Sequence, residues 1–178
     1  RTGYLEYFVD LLEELVRLAN YSSVMAIFGS LSQNSIHRLK STWNQVCSDR
    51  LDMLEMYATL LSPLKKFKHL KDAIDQSQPP CIPYLGLFLA DLTTVDATID
   101  EDSTDCLINV NKKRVFTRIL KHIQTFQNYS YKIQPVPYLQ HYFVQEFAKT
   151  PLTDEQEFKL SLLIEPKKTK NGIVAATG

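Results

Sequence analysis

Pro79-Pro80-Cys81-Ile82-Pro83-Tyr84-Leu85-Gly86-Leu87-Phe88-Leu89-Ala90-Asp91-Leu92-Thr93-Thr94-Val95-Asp96 is the stretch on which the architecture turns. Pro79 and Pro80 cannot continue a preceding helix, and Pro83 suits the first turn of a new one. The first two turns of that helix are apolar on every side (Tyr84, Leu85, Leu87, Phe88, Leu89), and after Ala90 come Asp91, Thr93, Thr94 and Asp96. A helix that is apolar all round is buried, and a polar one is solvated. The pattern therefore predicts a helix rooted in a core at its start and projecting from it at its end. That shape suits a lever or wedge better than a pocket.

Working outward, nearly everything reads as helix. Residues 4–19 place Phe8, Leu11, Leu12, Leu15 and Leu18 at helical spacing. Asn20 and Ser22 offer a stop and a new cap for a second helix with Val24, Met25, Ile27, Phe28 and Leu31. Asn34 or Ser35 can cap a third, running to Val46 through Ile36, Leu39 and Trp43. Ser48 caps a fourth, and Pro63 helps start a fifth with Leu64, Phe67, Leu70 and Ile74. The proline-led helix is the sixth. A seventh follows Asn111, with Val115, Phe116, Ile119, Leu120, Ile123 and Phe126 on one face. Shorter helices near 136–147 and 153–163 follow. Alternation of period two is nearly absent, Tyr129–Gln134 being the exception. The expected fold class is all-α, a globular helical array with a protruding helical hairpin.

The chain has 178 residues, 44% hydrophobic and 22% charged, enough for one domain with a substantial core. Its formal net charge of zero does not favour nucleic acid or an anionic membrane as partner. No apolar run approaches the roughly 20 residues that span a bilayer. The three cysteines, Cys47, Cys81 and Cys106, share no metal spacing and read as reduced, mostly buried thiols of a cytosolic protein. The absence of an initiating Met suggests a fragment of something longer, and residues 167–178 read as a flexible tail or an expression remnant.

The zero total hides an uneven distribution. From Asp72 through Asn111 there is no Lys, Arg or His, while the same window holds Asp72, Asp75, Asp91, Asp96, Asp100, Glu101, Asp102 and Asp105. Basic runs flank it on both sides: Lys65, Lys66, Lys68, His69 and Lys71 before, Lys112, Lys113, Arg114 and Arg118 after. Two readings stand: a solvated acidic loop, or an acidic tip that acts near a partner's cation or phosphate.

Bond-making chemistry finds no support. There is no GxxxxGK(S/T), GxGxxG, HExxH, GxSxG or Cys-x-x-Cys, and the five glycines do not cluster. The four histidines stand far apart, and Asp91 and Asp96, five residues apart, fall on different faces of one helix. No cofactor or metal is called for.

Four ordered blocks carry a resemblance. They are Asn20-Tyr21-Ser22-Ser23-Val24-Met25-Ala26-Ile27 with Ser35-Ile36-His37-Arg38-Leu39-Lys40-Ser41-Thr42-Trp43, the proline-led helix with Asp91-Leu92-Thr93, Leu107 to Arg114 with Ile123 to Asn128, and Leu163-Ile164-Glu165-Pro166. Together they resemble the catalytic domain of Ras guanine-nucleotide exchange factors (RasGEF, Son-of-sevenless type). The likeness runs to about Pro166, so residues 1–166 correspond to the C-terminal portion of that domain.

The resemblance implies a non-enzymatic mechanism. A hairpin of residues 82–97 and 111–127 wedges open the switch regions of a Ras-family small GTPase (Ras, Rap or Ral type), expels Mg²⁺ and speeds GDP release. It implies no cofactor, no nucleic acid and no membrane insertion. It also implies a cytoplasmic protein recruited to the inner face of the plasma membrane through regions outside this chain. Position by position, Ala90, Asp91, Thr93, Thr94, Asp96 and Ala97 fall on the helix that meets the switches. Met25, Phe67 and Tyr84 match a pocket for a partner side chain, whereas spacing alone favours reading them as plain core. Ser32, Gln33, Asn34 and His37 match a partner-contacting turn.

Departures from the family pattern are visible. Where it reads Glu-Glu-Gly-Asn, this chain has Asp96-Ala97-Thr98-Ile99, so Ala97 replaces the glutamate that approaches the Mg²⁺ site. Ala97 keeps a second reading open, an adaptor of the same fold that binds a GTPase or scaffold without exchange.

Overall fold

Leu5, Val9 and Leu12, spaced by four and three residues, form one buried stripe of α1 (Thr2–Arg17), and Val9 and Leu12 are fully enclosed. The computed structural model describes residues 1–98 and 109–167. Against that stripe packs α2 (Tyr21–Leu31), with Tyr21, Val24 and Leu31 buried. Asn20 is the cap between them, its Oδ1 accepting the Ser23 amide at 3.1 Å. Asn20→Ala leaves that amide without its side-chain acceptor and is expected to lower stability by about 1 kcal/mol. Chemical denaturation read by far-ultraviolet circular dichroism checks it.

The expected third helix is not continuous. It is two single turns, α3 (Asn34–His37) and α4 (Lys40–Trp43), broken at Arg38 and Leu39. The reason lies far along the chain. Arg38 donates to the carbonyls of Ser161 at 2.6 Å and Glu165 at 2.7 Å. The Glu165 carboxylate in return accepts the amides of Ser41 and Thr42 and the Thr42 hydroxyl, at 2.8–3.0 Å. An unbroken helix would use the Ser41 amide internally; here it goes to Glu165, and the Thr42 amide is shared between Glu165 and the Leu39 carbonyl. Trp43 bridges the two turns through Nε1 to the Ile36 carbonyl, 3.0 Å.

Helix α5 (Ser48–Leu60) forms where expected, although Cys47 rather than Ser48 is its cap residue, and Arg50 pairs bidentately with Asp10 of α1. The next helix starts later than Pro63 suggests: α6 is Lys68–Gln76. Lys65, Lys66 and Phe67 take φ of 51°, 58° and 58°, a left-handed turn that no right-handed helix can include. Such backbone costs about 1–2 kcal/mol per residue. It persists because it carries Phe67 onto the core cluster built around Leu12, Val24, Leu70 and Ile74.

The proline segment is fastened to the junction of the first two helices. Ile82 donates its amide to the Ala19 carbonyl at 2.9 Å and accepts from Ser22 at 3.3 Å, an isolated parallel bridge. Cys81, Leu87 and Phe88 are buried behind it. From this root runs α7 (Leu85–Thr98), and α8 (Val110–Gln127), capped by Asn109 two residues earlier than expected, packs against it. The two run antiparallel: the late Asp96 meets the early Lys112, and Phe88 meets His122.

One expectation about this pair needs correction. The first turns of α7 are not buried all round, because Leu85 and Leu89 are exposed. The apolar stripe of α8 is only half-buried, with Leu120 exposed. Two helices projecting together have no third layer to cover their outer sides.

The chain closes with α9 (Pro137–Phe147) and α10 (Asp154–Ile164), the latter opened by a reciprocal capping box between Thr153 and Gln156. Residues 129–134 form no strand, and Tyr131 instead donates its hydroxyl to the Leu18 carbonyl at 2.5 Å. The described residues are thus all-α, with no strand among them. Aromatic side chains of α1 and α9 (Tyr4, Tyr7, Phe8, Tyr142, Phe143, Phe147) line an open apolar groove of about 1040 Å³. Of the thiols, Cys81 is buried but Cys47 is exposed, against expectation, because it sits at an outer helix start; Cys106 lies outside the described residues. No described helix is long and apolar enough to cross a membrane.

Candidate functional site

Helical periodicity sorts the α7 residues by face. Ala90, Thr93, Thr94 and Ala97, at spacings of three and four, form one line, and all are exposed. Leu85 and Leu89, the latter 62% exposed, extend the line toward the root. The threonine hydroxyls turn back on their own helix: Thr93 Oγ1 donates to the Leu89 carbonyl and Thr94 Oγ1 to that of Ala90, both at 2.8 Å. The outer face therefore presents methyl and methylene groups without charge.

The two carboxylates of this helix are tied sideways. Lys71 of α6 donates to both oxygens of Asp91, at 2.9 and 2.8 Å. Lys112 of α8 reaches Asp96 Oδ1 at 2.9 Å and the Asp96 carbonyl at 3.3 Å. The Lys112 side chain is only 7% exposed while Asp96 is 71% exposed, so a buried ammonium is held by a carboxylate that stays largely in water. A third acid of the window, Asp75, lies 3.5 Å from His122 Nε2. The acidic window is thus largely matched by its basic flanks as far as it is described. Asp100, Glu101, Asp102 and Asp105 lie outside the described residues.

The other candidate residues sit beside the root of the helix. Met25, Phe67 and Tyr84 are half-buried and pack against the same core cluster. The Tyr84 ring lies over Gly86 so closely that a Cβ there would stand 2.5 Å from the ring. Gly86, unremarked in the sequence, is the reason the ring can lie flat there. Ser32, Gln33, Asn34 and His37 are all exposed at the turn from α2 to α3. Ser32 and His37 line an open groove with Phe28, Trp43 and Leu54. Gln33 and Asn34 line another with the acidic first turn of α10.

Sequence reading placed Leu85 and Leu89 in the core. Their spacing of four puts them on one line with Thr93 and Ala97, but that this line is the outer one is decided by the neighbouring helices, which cover Leu87 and Phe88 instead.

The described residues form an all-α fold with a two-helix prong anchored through a proline-led root. The RasGEF domain family matches residues 1–114. The chain belongs to the RasGEF domain family. It is 34% identical over 167 residues to Ras-specific guanine nucleotide-releasing factor 1 of Mus musculus, covering 94% of this chain and 13% of that protein. It is 32% identical over 168 residues to Ras-specific guanine nucleotide-releasing factor 2 of Danio rerio, with 94% and 13% covered. With Ras guanine nucleotide exchange factor P of Dictyostelium discoideum the identity is 33% over 175 residues, covering 96% and 11%. The chain thus spans about an eighth of the length of the first two relatives.

Proposed function

We propose that this chain is the exchange module of a guanine-nucleotide exchange factor for a Ras-family small GTPase. Its hairpin wedges between the GTPase switch regions and lowers the barrier to GDP release. The observation that supports this best is the uncharged outer line of α7, Leu85–Leu89–Ala90–Thr93–Thr94–Ala97, exposed on a prong whose acids are tied to its flanks. Small side chains let a partner's backbone approach closely, and no charge need be stripped of water on contact. Met25, Phe67 and Tyr84 at the root would receive a partner side chain, and Ser32, Gln33, Asn34 and His37 would add a second contact. No bond is made or broken. The exchange factor binds the nucleotide-free GTPase more tightly than the loaded one, and that difference is the catalysis.

Because Ala97 offers no carboxylate and Asp96 is held by Lys112, Mg²⁺ would be displaced by the bulk and apolar contact of the prong. Ala97 also favours the second reading, an adaptor that binds without exchange. The test is release of fluorescent GDP from a panel of Ras, Rap and Ral proteins with the full-length protein present. At least one should release nucleotide about tenfold faster or more. Binding with no acceleration anywhere on the panel supports the adaptor instead.

A further inference from the structure

We propose that Lys71 and Asp75 of α6 are positioning residues that set the angle of the hairpin on the body of the domain. They lie one helical turn apart and so share a face. Lys71 holds Asp91 of α7 by two short bonds, and Asp75 faces His122 of α8. The two straps land on different helices of the prong. One strap would leave a pivot, whereas two fix rotation as well as distance.

Packing does not do this by itself. Where α6, α7 and α8 meet, a cavity of about 150 Å³ remains, with these four charged or titratable side chains on its wall. It has room for a few water molecules. Leu87 and Phe88 are buried at the root, and the imidazole of His122 bridges outward from there, edge-to-face with Phe88 at 5.4 Å and tilted against Phe126 at 5.2 Å. Among the described residues, Lys71–Asp91 and Asp75–His122 link α6 to the two helices of the prong. Asp91 also points away from the outer line of α7, so a role in holding the prong explains its position without a partner.

The inference rests on the exchange reading for its effect on rate, but its geometry can be tested alone. The experiment compares Lys71→Met, which keeps the length and removes the charge, with Lys71→Arg, which keeps both, in the full-length protein. The first readout is GDP release across a range of GTPase concentrations. Lys71→Met should lower the maximal rate about fivefold and leave the half-saturating concentration within about twofold, because a misdirected wedge still meets its partner. The second readout is amide hydrogen exchange by mass spectrometry. Peptides covering 85–98 and 110–127 should exchange faster in Lys71→Met while those of α1 and α2 do not change, and Lys71→Arg should restore both readouts.

Parental hydrogen exchange in the hairpin of Lys71→Met overturns the proposal. So does a raised half-saturating concentration at parental maximal rate, which marks Lys71 as a partner contact. If the parent accelerates no GTPase, the exchange reading falls, and hydrogen exchange alone decides the straps.

Discussion

Thr94→Arg is expected to slow GDP release by about 100-fold without unfolding the domain. Thr94 is exposed in the middle of the outer line of α7, and its hydroxyl is already spent on the Ala90 carbonyl. Arginine has a better helix propensity than threonine, so the free domain loses nothing in local stability. In the wedged complex the same side chain must be bent aside or carried, charged, into an apolar contact. A desolvation and strain cost of about 2.7 kcal/mol corresponds to the 100-fold loss. The measurement is fluorescent-GDP release on the most responsive GTPase, with thermal denaturation as a check on folding. A parental rate would move the contact to another side of the prong.

Arg38→Ala is expected to lower stability by about 2–4 kcal/mol, roughly 5–15 °C in Tm for a domain of this size. The guanidinium gives three hydrogen bonds to Ser161 and Glu165 and lies over the Phe158 ring at 5.6 Å. Its removal leaves the Glu165 carbonyl without this donor and the Ser161 carbonyl with only its helical bond from the Glu165 amide, and it takes the cation away from the Glu165 carboxylate. The pH dependence follows from the same clasp. Burial would raise the Glu165 pKa, but hydrogen bonds from the Thr42 hydroxyl and the Ser41 and Thr42 amides, with Arg38 nearby, outweigh it and hold the carboxyl below its ordinary value. A carboxyl depressed on folding contributes stability above its unfolded pKa and loses it as pH falls through the folded one. Acid therefore weakens the clasp from the ordinary glutamate range downward. Glu165→Gln should be less stable at neutral pH and flatter across that range, as denaturant titrations at several pH values would report.

Helices with a strong local pattern were legible from sequence. The stripe of Leu5, Val9 and Leu12 and the cap at Asn20 need only neighbours a turn away. What was missed depends on partners remote in sequence. The break at Arg38 answers to groups 123 and 127 residues later, while Ile36, Leu39 and Trp43 by themselves keep a helical period. The left-handed turn at Lys65–Phe67 contains no glycine to announce it. At the candidate site, the line of Ala90, Thr93, Thr94 and Ala97 follows from spacing, and so does the divergence of Asp91 from Asp96. Which side of an apolar helix is left bare does not. Leu85 and Leu89 look like Leu87 and Phe88 until neighbouring helices cover one pair and not the other. The acid–base asymmetry of residues 65–118 was plain, but its resolution into Lys71–Asp91 and Lys112–Asp96 needed three dimensions.

The Arg38–Glu165 clasp also bears on how the domain is made. During synthesis the α3–α4 break emerges from the ribosome well over a hundred residues before the strand of chain that satisfies it. Until then the Ser41 amide and the Arg38 guanidinium lack the partners they have in the finished fold, and the Thr42 amide keeps only its local bond to the Leu39 carbonyl. Consolidation of this corner must wait for translation of α10, so a nascent chain stalled before residue 161 carries an unfinished corner for quality-control factors to read.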